Sequence, residues 1–356
     1  MKDTEKILFV NCHMNQNIFK TICDFYGWKN AIYSSIHSGL INNTWKVINN
    51  EQEFILQKIN TNIFKRADFI DDNLRLLSDY FKEHHPDYLF TAPVENKNGE
   101  TLCLVEDGHY RSFHFIKNSF TIDVVQNAGQ AYEAAFQFGK FTALLNGLEV
   151  SKLKITLPDF HNLSLRYQQF DTAVQNGNPD RIAAVKNDIL FIQSQKNIVE
   201  KFERFIQHPD AKQRVTHHDT KISNTLFDEH QKGLCVIDLD TIMPGYFLSD
   251  VGDMMRTYIC PVSEEEADLN KVIVRKEFLR SIQEGYLAGI GNVLSAYEKD
   301  NFLLSGEVLI YMQAIRFLAD YINNDLYYGC KYPTHNLVRA RNQIKLLQEY
   351  QEAIKN

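Results

Sequence analysis

The sequence predicts an α+β protein with two lobes, a small lobe built on an antiparallel sheet and a larger, mainly helical lobe. Strand-like apolar runs separated by turn residues crowd into the first third of the chain. From about residue 122 onward, apolar residues recur with helical spacing instead. The length of 356 residues suits about two domains. We therefore predict lobes at residues 1–115 and 116–356.

The elements of the first lobe follow from local patterns. Residues 16–26 have helical spacing of their apolar side chains, and so do residues 69–83. Strands are predicted from apolar runs bounded by turn residues, over 31–37, 44–49, 54–59, 87–91 and 102–106. The order of strands, helix and strands predicts an antiparallel sheet with a helix packed on it.

The second lobe is predicted to be helical. A helix is predicted over 123–147, where Ala and Gly recur, and two more are predicted over 302–323 and 335–354. Asn178 followed by Pro179 predicts the start of another, long helix, which ends before Pro209. Ser263 and Glu266 have the spacing of a capping box, which predicts a further helix start.

Composition excludes several classes of protein. The net charge of −7 argues against general nucleic-acid binding, which depends on a basic surface. No apolar run reaches the roughly 18–20 residues of a membrane span, and the apolar stretch near the N-terminus is too short for a secretory signal. The six cysteines lie far apart, which predicts neither a zinc site nor a disulfide framework. We therefore expect a cytoplasmic protein.

The most informative polar residues lie between positions 217 and 240. Asp219 follows His217 by two residues and precedes Asn224 by five. A predicted apolar strand then leads to Asp238 and, two residues later, Asp240. Each of these residues alone is as typical of a turn as of an active site. Their combination in this order favours an active site, in which His217 is more typical of a packed residue that braces the loop.

Phosphoryl transfer is the chemistry that needs this set of groups. Asp219 would orient and deprotonate an attacking hydroxyl, while Asn224 and Asp238 would hold Mg²⁺ against a triphosphate. Asp240 could assist the metal through water. Lys221 could neutralise charge on the transferring phosphate.

The same motif resembles a known family. His-x-Asp-x-x-x-x-Asn followed by an apolar strand ending in Asp is similar to the catalytic segment of the aminoglycoside phosphotransferase and choline kinase group, and most of all to its N-acetylhexosamine 1-kinases. The resemblance extends over SGLINNTWKV, FILQKINTNIFK, LPDFHN, HHDTKISN, CVIDLDTIMPG, SDVGDMMRT and RFLADYINNDLYY. It implies a bilobal protein-kinase-like fold that binds ATP and Mg²⁺ between its lobes.

The resemblance assigns nucleotide-binding roles in the first lobe. Lys58 matches the basic residue that contacts the ATP phosphates, although an exposed strand lysine is the alternative. Gly39, Asn42 and Thr44 belong to the segment that resembles the loop over the phosphates. The helix at 69–83 offers no clear glutamate to pair with Lys58.

Residues 113–117 resemble the hinge, where backbone groups would read adenine. Phe115 and Lys117 are therefore predicted nucleotide-binding residues. A hinge that works through backbone groups leaves no side-chain signature, so ATP and GTP are not distinguished.

Two residues of the second lobe are assigned to the sugar. Arg316 lies on the inward stripe of its predicted helix, and a buried arginine needs a partner for its charge. In the sugar 1-kinases, the corresponding Arg and a Tyr eleven residues later, here Tyr327, contact the sugar. The alternative for Arg316 is an internal ion pair with Asp250 or Asp253.

One position departs from the family pattern. Leu40 stands where these kinases commonly have a histidine near the sugar, and His37 lies three residues earlier. The identity of the acceptor therefore stays open. The leading hypothesis is ATP- and Mg²⁺-dependent phosphorylation of the anomeric hydroxyl of N-acetylglucosamine or N-acetylgalactosamine, a step of carbohydrate metabolism.

Two alternatives remain beside this hypothesis. A kinase of the same fold could act on another sugar, an amino alcohol or an aminoglycoside. A catalytically inert nucleotide-binding pseudokinase belongs to another class, and the complete set of Asp219, Asn224 and Asp238 argues against it. The expected partners are a nucleotide and an amino sugar, with no nucleic acid or membrane, and the chain is expected to be a monomer or weak oligomer.

Overall fold

The computed structural model describes residues 14–36 and 41–355. The chain divides into two compact units. The N-terminal unit contains the described residues up to Lys82 together with Phe90–Lys117, and the C-terminal unit contains Glu83–Leu89 and the described residues from Asn118 onward. Within the described residues, no helix is long and apolar enough to cross a membrane.

The N-terminal unit is built on an antiparallel sheet. Its strands are β1 (Ala31–Ile36), β2 (Asn43–Asn49), β3 (Gln52–Lys58), β4 (Leu102–Val105) and β5 (Gly108–His114), and its helices are α1 (Gln16–Tyr26) and α2 (Ala67–His84). The spatial order of the strands is β1-β2-β3-β5-β4. Trp45, Val47, Phe54 and Leu56 alternate along β2 and β3 and form the core beneath the sheet.

One predicted strand of this part of the chain is wrong, and one observed strand was not predicted. No strand forms over 87–91, because the chain turns after α2 and the Tyr88 N–H donates to the His85 carbonyl at 3.0 Å. Strand β5 was not predicted. Within β5, the consecutive polar residues Arg111 and Ser112 are both buried, so buried apolar and exposed polar residues do not alternate along the strand. Arg111 Nη2 donates to Gln57 Oε1 of β3 at 2.9 Å.

The C-terminal unit is mainly helical. Its helices are α3 (Ala128–Leu144), α4 (Leu163–Asn176), α5 (Pro179–Ala184), α6 (Lys186–Ser194), α7 (Asn197–Gln207), α8 (Phe247–Tyr258), α9 (Lys276–Ile290), α10 (Ala296–Asp300), α11 (Leu304–Ile322) and α12 (His335–Lys355). Four short strands complete it: β6 (Arg214–Thr216), β7 (Thr225–Phe227), β8 (Gly233–Val236) and β9 (Met243–Gly245). These two units confirm the predicted α+β class.

Helix α11 is the centre of the C-terminal unit, where it packs against α4, α7, α8 and α12. Helices α3 and α9 pack with their backbones in close approach. A Cβ at Gly285 would lie 2.3 Å from the backbone oxygen of Tyr132, and one at Gly289 would lie 2.2 Å from that of Phe136. Glycine is therefore required at both positions of α9 for this packing.

Three predicted helices of the C-terminal unit form, and two do not. The predictions over 123–147, 302–323 and 335–354 are confirmed as α3, α11 and α12. The single long helix from Pro179 is wrong, because the chain breaks into α5, α6 and α7, with Val185 at φ −119 between the first two. The helix predicted from Ser263 is also wrong: a turn forms there, and the real capping box joins Ser295 and Glu298 at the start of α10.

Helix α8 was not predicted, although its apolar residues recur with helical spacing. The residues on its apolar side are Phe247, Leu248, Val251, Met254, Met255 and Tyr258. Ser249, Asp250 and Asp253, on the opposite side, are buried as well, so the helix is enclosed on its polar side too.

Candidate active site

A short hairpin brings the predicted catalytic residues together. Strands β7 and β8 pair antiparallel with Thr225 opposite Val236, so the residue before β7 and the residues after β8 lie at the same end. The Ile237 N–H donates to the Asn224 carbonyl at 2.8 Å and extends this pairing. Asn224 and Asp238 thereby lie at the same end of the hairpin, on opposite strands.

Asp219 is bound on one oxygen by two of its predicted partners. Asn224 Nδ2 donates to Asp219 Oδ2 at 3.0 Å, and Lys221 Nζ lies 3.1 Å from the same oxygen. Lys221 Nζ also lies 4.0 Å from Asp238 Oδ2. Burial opposes the charge of Lys221, but Asp219 and Asp238 outweigh it and raise the pKa of Lys221. The structure therefore brings the carboxylates of Asp219 and Asp238 close to the ammonium group of Lys221, and it joins Asn224 to Asp219.

Asp240 lies close by in sequence but is buried. It belongs to the short 3-10 turn Leu239–Thr241, which Asp238 begins in the left-handed conformation at φ +61. A left-handed conformation is uncommon for a residue other than glycine and is typical of functional sites.

The backbone of the loop that carries Asp219 is held by two acidic residues of α8. Asp250 accepts hydrogen bonds from the backbone N–H groups of His217 and His218, at 3.2 and 2.7 Å. Asp253 accepts one from the Thr220 N–H at 2.9 Å. Burial raises the pKa of Asp250 to about 6, although these N–H groups favour its charged form. Two aspartates three residues apart on one helix were the available sequence signal for this role.

The two histidines before Asp219 are packed into the C-terminal unit. His217 Nε2 contacts the Ile237 carbonyl at 2.9 Å, and its ring packs edge-on against Phe138. His218 adopts φ +67, and its ring fills the space beside Gly245, where a Cβ would lie 2.4 Å from Cε1. Both rings therefore brace the loop from within the core.

A serine of α8 lies between two imidazole rings. Ser249 Oγ is 2.7 Å from His218 Nδ1 and also contacts His161 Nδ1. Burial lowers the pKa of His218 to about 3, and burial together with His218 and Arg316 holds the pKa of His161 well below its usual value. Both rings are therefore neutral at pH 7. A hydroxyl has one hydrogen to donate, so one imidazole accepts it and the other donates its Nδ1 hydrogen.

The charge of Asp253 is matched by an arginine on the same helix. Arg256 Nη2 lies 2.9 Å from Asp253, and its Nη1 lies 3.0 Å from Glu264. Burial opposes the charge of Arg256, but Asp253 and Glu264 outweigh it and raise the pKa of Arg256. The proposed ion pair of Arg316 with Asp250 or Asp253 is therefore wrong, because Asp250 binds backbone N–H groups and Asp253 pairs with Arg256.

Arg316 and Tyr327 are neighbours at the surface of the C-terminal unit. Arg316 lies on α11, and its Nη2 is 3.4 Å from the hydroxyl of Tyr327. Both residues line a cavity of about 510 Å³, together with Arg166 and Asp320. Tyr327 is 72% exposed, so its ring is available to a ligand.

In the N-terminal unit, Lys58 has an acidic partner that the sequence did not reveal. Lys58 Nζ lies 2.7 Å from Asp107 Oδ2, in the turn between β4 and β5. Asn42 Oδ1 accepts a hydrogen bond from the Asn60 N–H at 3.0 Å, just beyond the end of β3. Thr44 is opposite Gln57 in the register of β2 and β3. Lys58, Asn42 and Thr44 therefore lie at the same end of these two strands.

The remaining predicted nucleotide-binding residues follow β5. The Phe115 N–H donates to the Glu53 carbonyl at 3.0 Å, and Lys46 Nζ lies 4.1 Å from the centre of the Phe115 ring. Lys117 is exposed and is the last residue of the N-terminal unit. The predicted site residues His37 and Gly39 lie outside the described residues.

Comparison with known proteins identifies the family. The sequence matches the phosphotransferase enzyme family over residues 32–280, which is more than half of the chain. The chain belongs to this family. The family-level resemblance inferred from the sequence is thus confirmed.

Solved structures of similar fold support the assignment of architecture. A microcompartment-associated aminopropanol kinase is similar to the phosphotransferase with a TM-score of 0.64 and 16% identity, over 95% of this chain and 98% of that chain. A spectinomycin phosphotransferase in complex with ADP and spectinomycin has a TM-score of 0.60 and 13% identity, over 97% and 100%. A choline kinase from Streptococcus pneumoniae has a TM-score of 0.54 and 12% identity, over 94% and 100%. The kinase-like fold is confirmed.

Two side chains of the phosphotransferase carry oxygen atoms that suit a magnesium ion. Asn224 and Asp238 supply an amide and a carboxylate oxygen, the hard ligands that Mg²⁺ prefers. Among the described residues, no group of three or more His, Cys, Asp or Glu side chains is arranged to hold a metal. Mg²⁺ commonly binds one or two carboxylates plus substrate phosphates, so a closed protein cage is not required.

Proposed function

We propose that the chain is a kinase that uses ATP and Mg²⁺ to phosphorylate the anomeric hydroxyl of an N-acetylhexosamine, either N-acetylglucosamine or N-acetylgalactosamine. The observation that carries this proposal is the environment of Asp219. Its Oδ2 atom is occupied by Asn224 and Lys221, at 3.0 and 3.1 Å, on a loop whose backbone is fixed by α8. This arrangement suits a carboxylate that must hold one orientation while it receives a proton.

In the proposed reaction, Asp219 Oδ1 accepts a hydrogen bond from the 1-hydroxyl of the sugar. The oxygen of that hydroxyl attacks the γ-phosphorus as its proton passes to Asp219. The new O–P bond forms while the bond between the γ-phosphorus and the β,γ-bridging oxygen breaks, and ADP leaves. An anomeric hydroxyl is more acidic than an ordinary alcohol, so a carboxylate is a sufficient base.

Cationic residues offset the charge of the phosphates. Lys221 lies beside the base and is kept protonated by the two carboxylates near it, so it can accompany the transferring phosphate. Lys58, oriented by Asp107, is assigned to the phosphates of ATP. Asn224 and Asp238 would hold Mg²⁺, Asp240 would assist through water, and the metal would neutralise charge that develops on the phosphate oxygens.

Arg316 and Tyr327 are assigned to the acceptor. A guanidinium donates hydrogen bonds to hydroxyl and carbonyl oxygens, and an exposed tyrosine ring packs against the apolar face of a sugar. Their placement on one cavity favours a neutral sugar over a cationic acceptor, because cationic ligands are stabilised by acidic groups.

The direct test is phosphorus NMR of the purified protein with ATP, Mg²⁺ and a panel of acceptors. The panel contains N-acetylglucosamine, N-acetylgalactosamine, glucosamine, choline, aminopropanol and spectinomycin. We expect a new anomeric phosphate signal with the N-acetylhexosamines. A phosphate signal only with the amines would show that the protein is a kinase with an amine acceptor instead of an N-acetylhexosamine. Nucleotide binding without transfer to any acceptor would indicate an inert binding module.

The role of Asp219 is tested in the same assay. Asp219→Asn keeps the shape of the side chain and removes the base, so turnover should fall by roughly 10²–10⁴-fold while nucleotide binding persists. Asp228→Asn is the matched control, because Asp228 lies in the exposed turn of the same hairpin. Wild-type turnover in Asp219→Asn would refute the mechanism.

A further inference from the structure

Two arginines converge on the cavity that contains Tyr327. Arg166 belongs to α4 and Arg316 to α11, and both line the 510 Å³ cavity. They are close enough to interact: burial lowers the pKa of Arg166 first, and the positive charge of Arg316 lowers it further. Like charges held together in this way create a strongly positive site unless acidic groups neutralise them.

No carboxylate forms an ion pair with either guanidinium within the part of the chain that the structure describes. The carboxylate of Asp159 favours the charged form of Arg166, but by less than burial and the charge of Arg316 oppose it. Arg166 donates to the backbone carbonyl of Asp159 at 2.8 Å and to Gln169 at 3.0 Å, both of which are uncharged acceptors. Arg316 makes two long hydrogen bonds of 3.4 Å, with Gln313 and Tyr327, and its guanidinium lies 5.4 Å from the centre of the Tyr328 ring. Its hydrogen-bonding capacity is therefore largely available to a ligand.

Asp320 also lines the cavity but is turned toward the protein. Its Oδ1 accepts a hydrogen bond from the Tyr327 N–H at 2.7 Å, and its Oδ2 accepts from the Tyr328 N–H at 3.0 Å and from Asn336 at 3.1 Å. Asp320 is 5% exposed. Its carboxylate is thus committed to the loop after α11, and the arginines dominate the charge that a ligand meets.

From this geometry we propose that Arg166 acts with Arg316 as a charge filter for the acceptor. The pair receives an uncharged acyl oxygen, such as that of an acetamido group, and rejects acceptors that carry a protonated amine. This inference rests on the proposed function and assigns to two residues its preference for N-acetylated over free amino sugars. Arg166 is then a specificity-determining residue, which the sequence pattern did not single out.

The test compares two acceptors that differ in one charge. We would measure kcat/KM for N-acetylglucosamine and for glucosamine at pH 6.5, where the amine of glucosamine is protonated. Wild type should prefer N-acetylglucosamine. Arg166→Gln removes one positive charge and should reduce this preference by about tenfold, mainly by improving the use of glucosamine, which corresponds to about 1.4 kcal/mol. Arg166→Lys keeps the charge and should keep most of the preference.

The control is Arg341→Gln, which removes an arginine that pairs with Asp188 at 3.0 Å and does not line this cavity. Its acceptor preference should equal that of wild type. An active, folded Arg166→Gln variant with an unchanged preference would overturn the charge filter while leaving the sugar kinase in place. Equal kcat/KM values of the wild type for N-acetylglucosamine and glucosamine would also overturn the charge filter and leave the sugar kinase in place. If wild type phosphorylates neither sugar, the proposed function itself fails and the filter with it.

Discussion

The carboxylate of Asp250 fixes the backbone at His218, whose N–H lies 2.7 Å from Asp250 Oδ1. Its other oxygen receives the N–H of His217 at 3.2 Å. One side chain of α8 therefore holds two consecutive peptide groups immediately before Asp219. A residue in the left-handed conformation, as His218 is at φ +67, persists only when its surroundings fix it. Asp250 supplies that constraint.

We predict that Asp250→Asn lowers both activity and stability. An amide has one acceptor oxygen in place of two, so one of the two backbone N–H groups loses its partner. The free energy of unfolding at pH 7 should fall by about 1–3 kcal/mol, the range for hydrogen bonds to a charged group and for a buried donor left unsatisfied. We expect kcat to fall more than tenfold, because the loop that carries Asp219 is no longer fixed. Urea unfolding and steady-state kinetics measure the two effects.

Asp228→Asn provides the control for this prediction. Asp228 Oδ1 also accepts two backbone N–H groups, from His230 and Lys232 at 2.9 and 2.8 Å, but in an exposed turn. Asparagine is well suited to such a turn, so stability and kcat should change little. Equal losses of kcat in both variants would contradict the role assigned to Asp250.

The ion pair of Lys58 and Asp107 gives a second prediction. The two side chains are 27% and 35% exposed, so the pair contributes at most about 1 kcal/mol to stability. If Asp107 instead orients Lys58 toward the ATP phosphates, Asp107→Asn should raise the KM for ATP about threefold to tenfold with almost no change in the melting temperature. Glu95→Gln removes a more exposed pair, with Lys82, and should leave the KM for ATP unchanged.

The core of the site was predictable because its residues are close in sequence. Asp219, Asn224 and Asp238 lie within one loop and one hairpin, and the turn residues between the strands indicate the antiparallel return that brings them together. Local spacing therefore predicts their meeting, whatever the rest of the fold does.

The supporting residues were not predictable for the opposite reason. Asp107 meets Lys58 across the sheet, and Ser249 meets His161 across the C-terminal unit, so each contact depends on tertiary packing. Strand β5 was missed because its buried Arg111 breaks the alternation of apolar and polar residues. A polar residue in the interior is recognisable only when its partner is known.

Gly245 gives a third prediction, because it leaves room for the His218 ring. A Cβ at this position would lie 2.4 Å from Cε1 and 2.6 Å from Nε2 of His218. Gly245→Ala should therefore displace the ring and lower the free energy of unfolding by about 1–3 kcal/mol, the usual cost of overpacking. The double variant Gly245→Ala/His218→Asn removes the clash, so its loss should be smaller than the sum of the two single losses. Strict additivity would show that the ring is not what limits this position.

The last prediction concerns pH and the neutral state of His218. Burial lowers the pKa of His218 from an ordinary value near 6.5 to about 3. A histidine whose pKa is depressed in the folded state stabilises the fold fully above pH 6.5, and this contribution is lost as the pH falls through 6.5 toward 3. Asp250 acts in the opposite sense, because its raised pKa of about 6 favours the folded state at low pH and that contribution is lost as the pH rises through 6. A comparison of variants that keep Asp250 cancels its effect and isolates that of the histidine.

We therefore expect the free energy of unfolding of His218→Asn to depend less on pH than that of wild type between pH 6.5 and 4.5. Asparagine does not titrate, and it tolerates the left-handed backbone of this position, so the variant should fold. Urea unfolding followed by circular dichroism at pH 7, 6, 5 and 4.5 gives the slopes. His230→Asn removes an exposed histidine and should keep the wild-type slope. If His218→Asn also keeps that slope, His218 is not the group whose protonation destabilises the fold. The assignment of a neutral His218 ring beside Ser249 would then be wrong.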